Sequence, residues 1–132
     1  MVILSQNMQD MINDQFPFLA TTSPDGSPQI GPKGSLHVLD DSHLIYYEHT
    51  FRHAYENLLT NGLVAVAVVD RVAEKGFRFE GKAHIHENDD YASEILAKTK
   101  IYDRFPRAAV VIIDVERIYK LDNTLDAGMR LA

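Results

Sequence analysis

Two cations, Arg52 and His53, stand where a strand-like segment gives way to a helical one. The run Tyr46-Tyr47-Glu48-His49-Thr50-Phe51-Arg52-His53-Ala54-Tyr55-Glu56-Asn57-Leu58 carries them. Phe51, Tyr55, Leu58 and Leu59 recur at helical spacing, which predicts one apolar face. Thr50 is the expected N-cap, its hydroxyl accepting from an orphan first-turn N–H. Gly62 sits where a C-terminal cap belongs. Free N–H groups and the positive end of a helix dipole suit a phosphate. Taken alone, the stretch fits a capped surface helix with a solvated arginine better than a phosphate site, because capped helices are the commoner feature.

Other groups offer less chemistry. His84 and His86 fall on one strand face, but no carboxylate pattern accompanies them, and a wet strand face is the expectation. His49 and His53 are four apart, yet His49 precedes the cap, so they make a poor metal pair; no metal site is expected. The chain has no cysteine, which excludes disulfides, thiolate metal sites and thiol catalysis. It has no G-x-S-x-G elbow, no G-x-G-x-x-G and no Walker loop.

The composition, 45% hydrophobic and 24% charged, is that of an ordinary folded domain. The 132 residues predict one domain spanning residues 1–132, with a core of its own. A formal net charge of −6 argues against a nucleic-acid backbone as partner. The longest apolar run, Leu63 to Val69, is too short to span a membrane, and no basic-then-apolar leader is visible. A cytoplasmic protein is the expectation.

The elements that must position these groups read as follows. Met1 to Asp14 predicts a short helix capped by Ser5. Phe16 to Thr22 predicts a strand, and Ser23-Pro24-Asp25-Gly26 a turn. Pro28 to Lys33 predicts a partner strand whose two prolines place it at an edge or a bulge. Gly31 and Gly34 would let a ligand or another chain approach the backbone. Ser35 to Leu39 and Leu44 to Tyr47 predict a hairpin. Leu63 to Val69 predicts a central strand buried on both faces. Phe77 to His86 alternates as a half-exposed strand, with Gly81 in mid-run marking a bulge or close backbone approach. Asn88 or Asp89 would cap a third helix with Tyr91, Ile95 and Leu96 on its buried face. Ala108 to Val115 predicts a strand that Ile118 to Leu121 continues. Asp122 to Ala132 lacks periodicity and predicts an extended tail. Strands in hairpin pairs with a few short helices predict a mainly β (α+β) antiparallel barrel rather than a doubly wound sheet.

Four segments in this order, FLATTSPDGSPQIGPKGSLHVLDD, ENLLTNGLVAVAVVD, GFRFEGKAHI and AAVVIIDVERIY, resemble the pyridoxamine 5′-phosphate oxidase-like, FMN-binding split-barrel family, from about Phe16 to Tyr119. The resemblance is strongest to its short flavin-nucleotide-binding members. It implies a six-stranded antiparallel split β-barrel with a few short peripheral helices, a homodimer, and FMN in a groove at the dimer interface. It implies that Pro32, Lys33, Gly34 and Ser35 run beside the flavin ring, with Lys33 a donor to a flavin carbonyl or N5. It also implies that the residues before Asn57-Leu58 hold the phosphate, which draws His49, Thr50, Arg52, His53 and Asn57 into the cofactor site. Relatives often carry Lys-Thr where this chain has His53 and Ala54; Arg52 and Thr50 are the substitutes at hand, since an arginine can grip phosphate bidentately.

The function so implied is an FMN-dependent oxidoreductase taking electrons from a small-molecule donor and passing them to a small acceptor. FMN would carry the chemistry while the protein positions the ring. Oxidation of pyridoxamine phosphate itself is not expected, because the longer C-terminal substrate segment of that enzyme has no counterpart here. Two alternatives stand beside it: a non-catalytic flavin-binding or electron-transfer protein, and a split barrel that binds another ligand, such as haem.

Overall fold

The fold is described from a computed structural model over residues 2–132. Three α-helices and seven strands run in the order α1 (Gln6–Asp14), β1 (Phe18–Thr22), β2 (Pro28–Pro32), β3 (His37–Asp40), β4 (His43–Glu48), α2 (His53–Thr60), β5 (Leu63–Asp70), β6 (Lys75–His86), α3 (Asp90–Ala97) and β7 (Ala109–Lys120), with a 3₁₀ turn at Ile101–Asp103. All strand pairs are antiparallel, in the spatial order β2-β1-β5-β6-β7-β4-β3. The sheet curls into a split barrel of seven strands, one more than the resemblance implied. α1 packs on both β3 and β5 and so bridges the split.

The core lies inside the curl. Leu19, Leu44, Tyr46, Val64, Val66, Val68, Phe79, Val111, Ile113 and Ile118 are buried there, joined by Leu4 and Ile12 from the α1 region. A smaller cluster lies outside it, where α3 covers Ile45, Val110 and Ile112 with Ala92 and Leu96. Each fully buried aliphatic or aromatic side chain contributes about 1.5–3 kcal/mol, so the barrel interior dominates the stability of the fold.

Local signals placed most elements where the residues predict. Ser5 accepts from the Met8 N–H and caps α1. Met1 lies outside the described residues, and the helix proper begins at Gln6. Gly26 takes the turn with φ +86°. β2 is an edge strand, which its prolines require because they cannot donate to a second neighbour. Asp89 caps α3, accepting from the Ala92 N–H at 2.7 Å. Gly62 has φ +70° and donates to the Leu58 carbonyl at 3.1 Å, closing α2 as a left-handed cap.

Four expectations need correction. Thr50 does not cap α2: Arg52 occupies the N-cap and makes no side-chain cap bond. Leu63–Val69 is buried on one face only. Val64, Val66 and Val68 point into the barrel, whereas Leu63 and Val69 are about half exposed; apolar composition on the outer face hid the alternation. Tyr91 is exposed and packs on the His86 ring, centroids 4.9 Å apart, while Ala92 takes the buried position. The last segment is no free tail. Tyr119 bridges Arg130, and the N–H groups of Lys120 and Leu131 bond to the carbonyls of Met129 and Ile118 at 2.9 and 2.8 Å. Backbone pairing needs no side-chain period, so nothing in the pattern announced it.

Candidate functional site

The chain between β2 and β3 turns tightly at Lys33. Its N–H donates to the Pro17 carbonyl at 3.0 Å, and its own carbonyl accepts from the Leu36 N–H at 3.1 Å. Ser35 then ties this turn to β4, its Oγ accepting from the Tyr47 N–H at 3.0 Å. The result is a cleft of about 680 Å³ with three walls. Pro32, Lys33, Gly34 and Ser35 form one; Tyr47, Glu48, His49 and Thr50, at the exit of β4, form the second; Thr99, Lys100, Ile101, Arg104 and Phe105, between α3 and β7, form the third. Gly31 and Gly34 would meet only ordinary contacts if they carried a Cβ, so the protein itself does not demand glycine at either place.

Glu48 lies at the base of this cleft and is 1% exposed. Its Oε2 accepts three hydrogen bonds, from the Thr50 N–H at 2.8 Å, the Thr50 hydroxyl at 3.0 Å and the Phe51 N–H at 3.0 Å. Those bonds hold the link into α2, where Phe51 adopts φ +52°, a conformation costly for an aromatic residue. Each bond to a charged acceptor contributes roughly 1.5–3 kcal/mol, against a desolvation penalty of several kcal/mol for a buried carboxylate. Burial alone would raise the Glu48 pKa, but the Phe51 and Thr50 donors and the Lys33 ammonium outweigh it and hold the carboxyl below its ordinary value. The other oxygen, Oε1, is buried without a hydrogen-bond partner and lies 3.9 Å from Lys33 Nζ. Lys33 also sits over the Tyr46 ring, 5.1 Å from its centroid. The Tyr46 hydroxyl is likewise buried and unpartnered, and burial together with the Glu48 charge pushes its pKa up.

Six of the nine expected site residues, Pro32, Lys33, Gly34, Ser35, His49 and Thr50, therefore line one cleft. Arg52 and His53 line an adjoining groove that shares Thr50 with it. Both are exposed, and α2 begins at His53, its first intrahelical bond running from the Glu56 N–H to the Arg52 carbonyl. Asn57 stands apart from the cleft. It is buried, and its Nδ2 donates to the Thr21 hydroxyl at 2.9 Å, tying α2 to β1.

Sequence reasoning missed Glu48, Lys100, Arg104 and Phe105. Phe105 stacks flat on His49, centroids 3.8 Å apart and planes 8° from parallel, with Arg104 over the Phe105 ring at 5.2 Å. These residues reach the cleft from some fifty positions away, and no local pattern marks them. Glu48 did leave a signal: it follows Leu44 and Tyr46 at alternate positions of β4, so a carboxylate occupies the inward parity of a buried strand. Three histidines outside the cleft, His43, His84 and His86, pair with carboxylates. His43 lies between Asp40 and Asp114, and His84 reaches Asp114 at 2.7 Å. Among the described residues no group of three His, Cys, Asp or Glu side chains is arranged to hold a metal ion.

The fold has solved counterparts. A candidate pyridoxamine 5′-phosphate oxidase of Lactobacillus delbrueckii is 40% identical, with a TM-score of 0.82 over 89% of this chain and 93% of that one. HupZ of Group A Streptococcus is 38% identical, with a TM-score of 0.81 over 96% of this chain and 100% of that one. An FMN-binding protein of Syntrophomonas wolfei shares the fold at 18% identity, with a TM-score of 0.71 over 88% of this chain and 84% of that one. The pyridoxamine 5′-phosphate oxidase family model matches residues 4–122. With its split barrel, and with that match covering all seven strands, the chain belongs to the pyridoxamine 5′-phosphate oxidase family.

Proposed function

We propose that this protein binds FMN in the cleft between Lys33 and Thr50, as a homodimer in the cytoplasm, and serves as a flavin-dependent oxidoreductase. One observation carries the reading: the Pro32–Ser35 turn and the His49–Thr50 segment, far apart in sequence, wall the same cleft, which leads into the groove of Arg52 and His53. The donor set fits a flavin nucleotide. Lys33 supplies an ammonium to the ring, and Arg52 supplies a guanidinium, with the His53 ring beside it, to the phosphate at the start of α2. The Thr50 and Phe51 N–H groups are already bonded to Glu48, so the phosphate would rely on Arg52, His53 and the α2 terminus proper. When bound, FMN would supply the redox chemistry; the chain's own residues would hold and orient it and keep water from the ring.

The homodimer rests on the outer face of β1, β2 and β5. Phe18, Ile30, Leu63 and Val69 are exposed there at 43%, 65%, 47% and 52%, around Ala20, Ala65 and Ala67. A contiguous apolar sheet face of this kind fits a partner surface. Among the described residues no helix is long and apolar enough to cross a membrane.

The absorbance spectrum of untagged, purified protein tests the cofactor. Flavin bands, with FMN as the species released by heat, support the reading; a Soret band would replace FMN by haem, and a colourless protein that FMN titration leaves unchanged would overturn it. Steady oxidation of NADH or NADPH by the holoprotein separates an oxidoreductase from a non-catalytic flavin carrier.

A further inference from the structure

The geometry points to Glu48 as the positioning residue of the cleft: it aims the Lys33 ammonium at the bound ligand. This rests on the proposed flavin site and adds Glu48 to it. The carboxylate is divided between two duties. Oε2 is fully engaged by the Thr50 and Phe51 donors, which fix its position. Oε1 has no hydrogen-bond partner, and the nearest cation is Lys33 Nζ at 3.9 Å. That separation is an ion-pair contact but longer than a hydrogen bond. Lys33 is therefore attracted without being tied down. Its ammonium also lies over the Tyr46 ring, 5.1 Å from the centroid, its side chain is 19% exposed, and it lines the cleft together with Glu48.

Lysine carries a point charge on a flexible four-carbon stem. Beside open solvent such a chain samples many rotamers, and ordering it on binding is costly. A buried carboxylate within ion-pair reach removes most of those rotamers before the ligand arrives. Glu48 is anchored by three bonds, so the direction of the Lys33 charge is inherited from the link into α2. One side chain thus sets two walls of the cleft relative to each other.

A double-mutant cycle with FMN on purified protein tests this, using Glu48→Gln, Lys33→Met and the double variant. Glutamine keeps an oxygen for the Thr50 and Phe51 donors but loses the charge that draws Lys33. Glu48→Gln is expected to weaken FMN binding by about tenfold in the wild-type background and by less than about twofold when Lys33 is already methionine. Melting curves of the apoproteins establish that all three variants fold. Equal losses in both backgrounds would assign Glu48 to shaping the Thr50–Phe51 link alone and overturn the proposal. So would unchanged affinity in Glu48→Gln. Failure of wild-type protein to bind FMN would instead overturn the flavin reading itself, a result visible before any variant is made. If Glu48→Gln does not fold, Glu48→Asp serves in the same cycle: it keeps the charge but draws it back from Lys33, and the same non-additivity is expected.

Discussion

Gly81 and the Asp114 carbonyl meet where the β6–β7 register shifts. The pairing passes from Glu80–Arg117 to Gly81–Val115, a bulge in β7, and a Cβ on Gly81 would overlap the Asp114 carbonyl oxygen. The contact is with backbone, which cannot swing aside as a side chain can. Gly81→Val is therefore expected to cost at least the 1–3 kcal/mol or so typical of overpacking, well beyond the roughly ±0.5 kcal/mol of a surface change. A melting midpoint equal to that of wild type would remove the constraint.

Arg52 is expected to carry the phosphate. Loss of a hydrogen bond to a charged group costs roughly 1.5–3 kcal/mol, so Arg52→Ala should weaken FMN binding about ten- to a hundredfold, at ~1.4 kcal/mol per decade. Riboflavin lacks the phosphate and should bind nearly as before. Apoprotein stability should hold or rise slightly, because Arg52 makes no cap bond and a cation leaves the positive end of a helix. Flavin fluorescence quenching with both ligands measures this; parallel losses for the two would place Arg52 in the ring site or in the structure.

The outer face of β1, β2 and β5 is expected to be buried in a symmetric dimer. Light scattering at micromolar concentration with FMN present should give twice the 14.9 kDa chain mass. Ile30→Glu, a charge placed at an edge-strand position 65% exposed in the single chain, should shift the mass toward the monomer. A wild-type monomer under those conditions contradicts the assignment.

Stability should fall on acidification partly through Glu48. Its folded pKa lies below the ordinary glutamate value of 4.5. The unfolded chain therefore binds the proton first as pH falls, and the contribution present above about 4.5 is lost as pH descends through the lowered folded value. Between pH 7 and pH 3 the wild-type melting temperature should drop further than that of Glu48→Gln, which has no such proton to bind. Equal drops would mean that Glu48 titrates alike in both states.

The strands, the caps at Ser5 and Asp89, the Gly26 turn and the edge placement of β2 follow from local causes. Alternation, hydroxyl or carboxylate acceptors and fixed proline φ act within a few residues, so the chain carries them without reference to its distant parts. The bulge at Gly81 belongs with them, since a glycine in mid-strand declares a steric demand even before its partner is known. Where local pattern was ambiguous, tertiary packing decided. Thr50 has the chemistry of a cap, but the Glu48 carboxylate claims its N–H and its hydroxyl, and α2 begins later. Leu63–Val69 has the composition of a strand buried on both sides, but the sheet order leaves its outer face uncovered within the chain. The amino-acid sequence by itself determined the edge strand β2 and the helical segment around Asn57, while the cofactor role of residues 32–35 and of the segment before Asn57 is an expectation drawn from the family resemblance. Only the folded barrel decided that Lys33, Glu48 and Arg104 share a cleft: Ser35 ties the turn after β2 to β4 through the Tyr47 N–H, and the packing of α3 on Ile45, Val110 and Ile112 brings the segment that carries Arg104 to the same place.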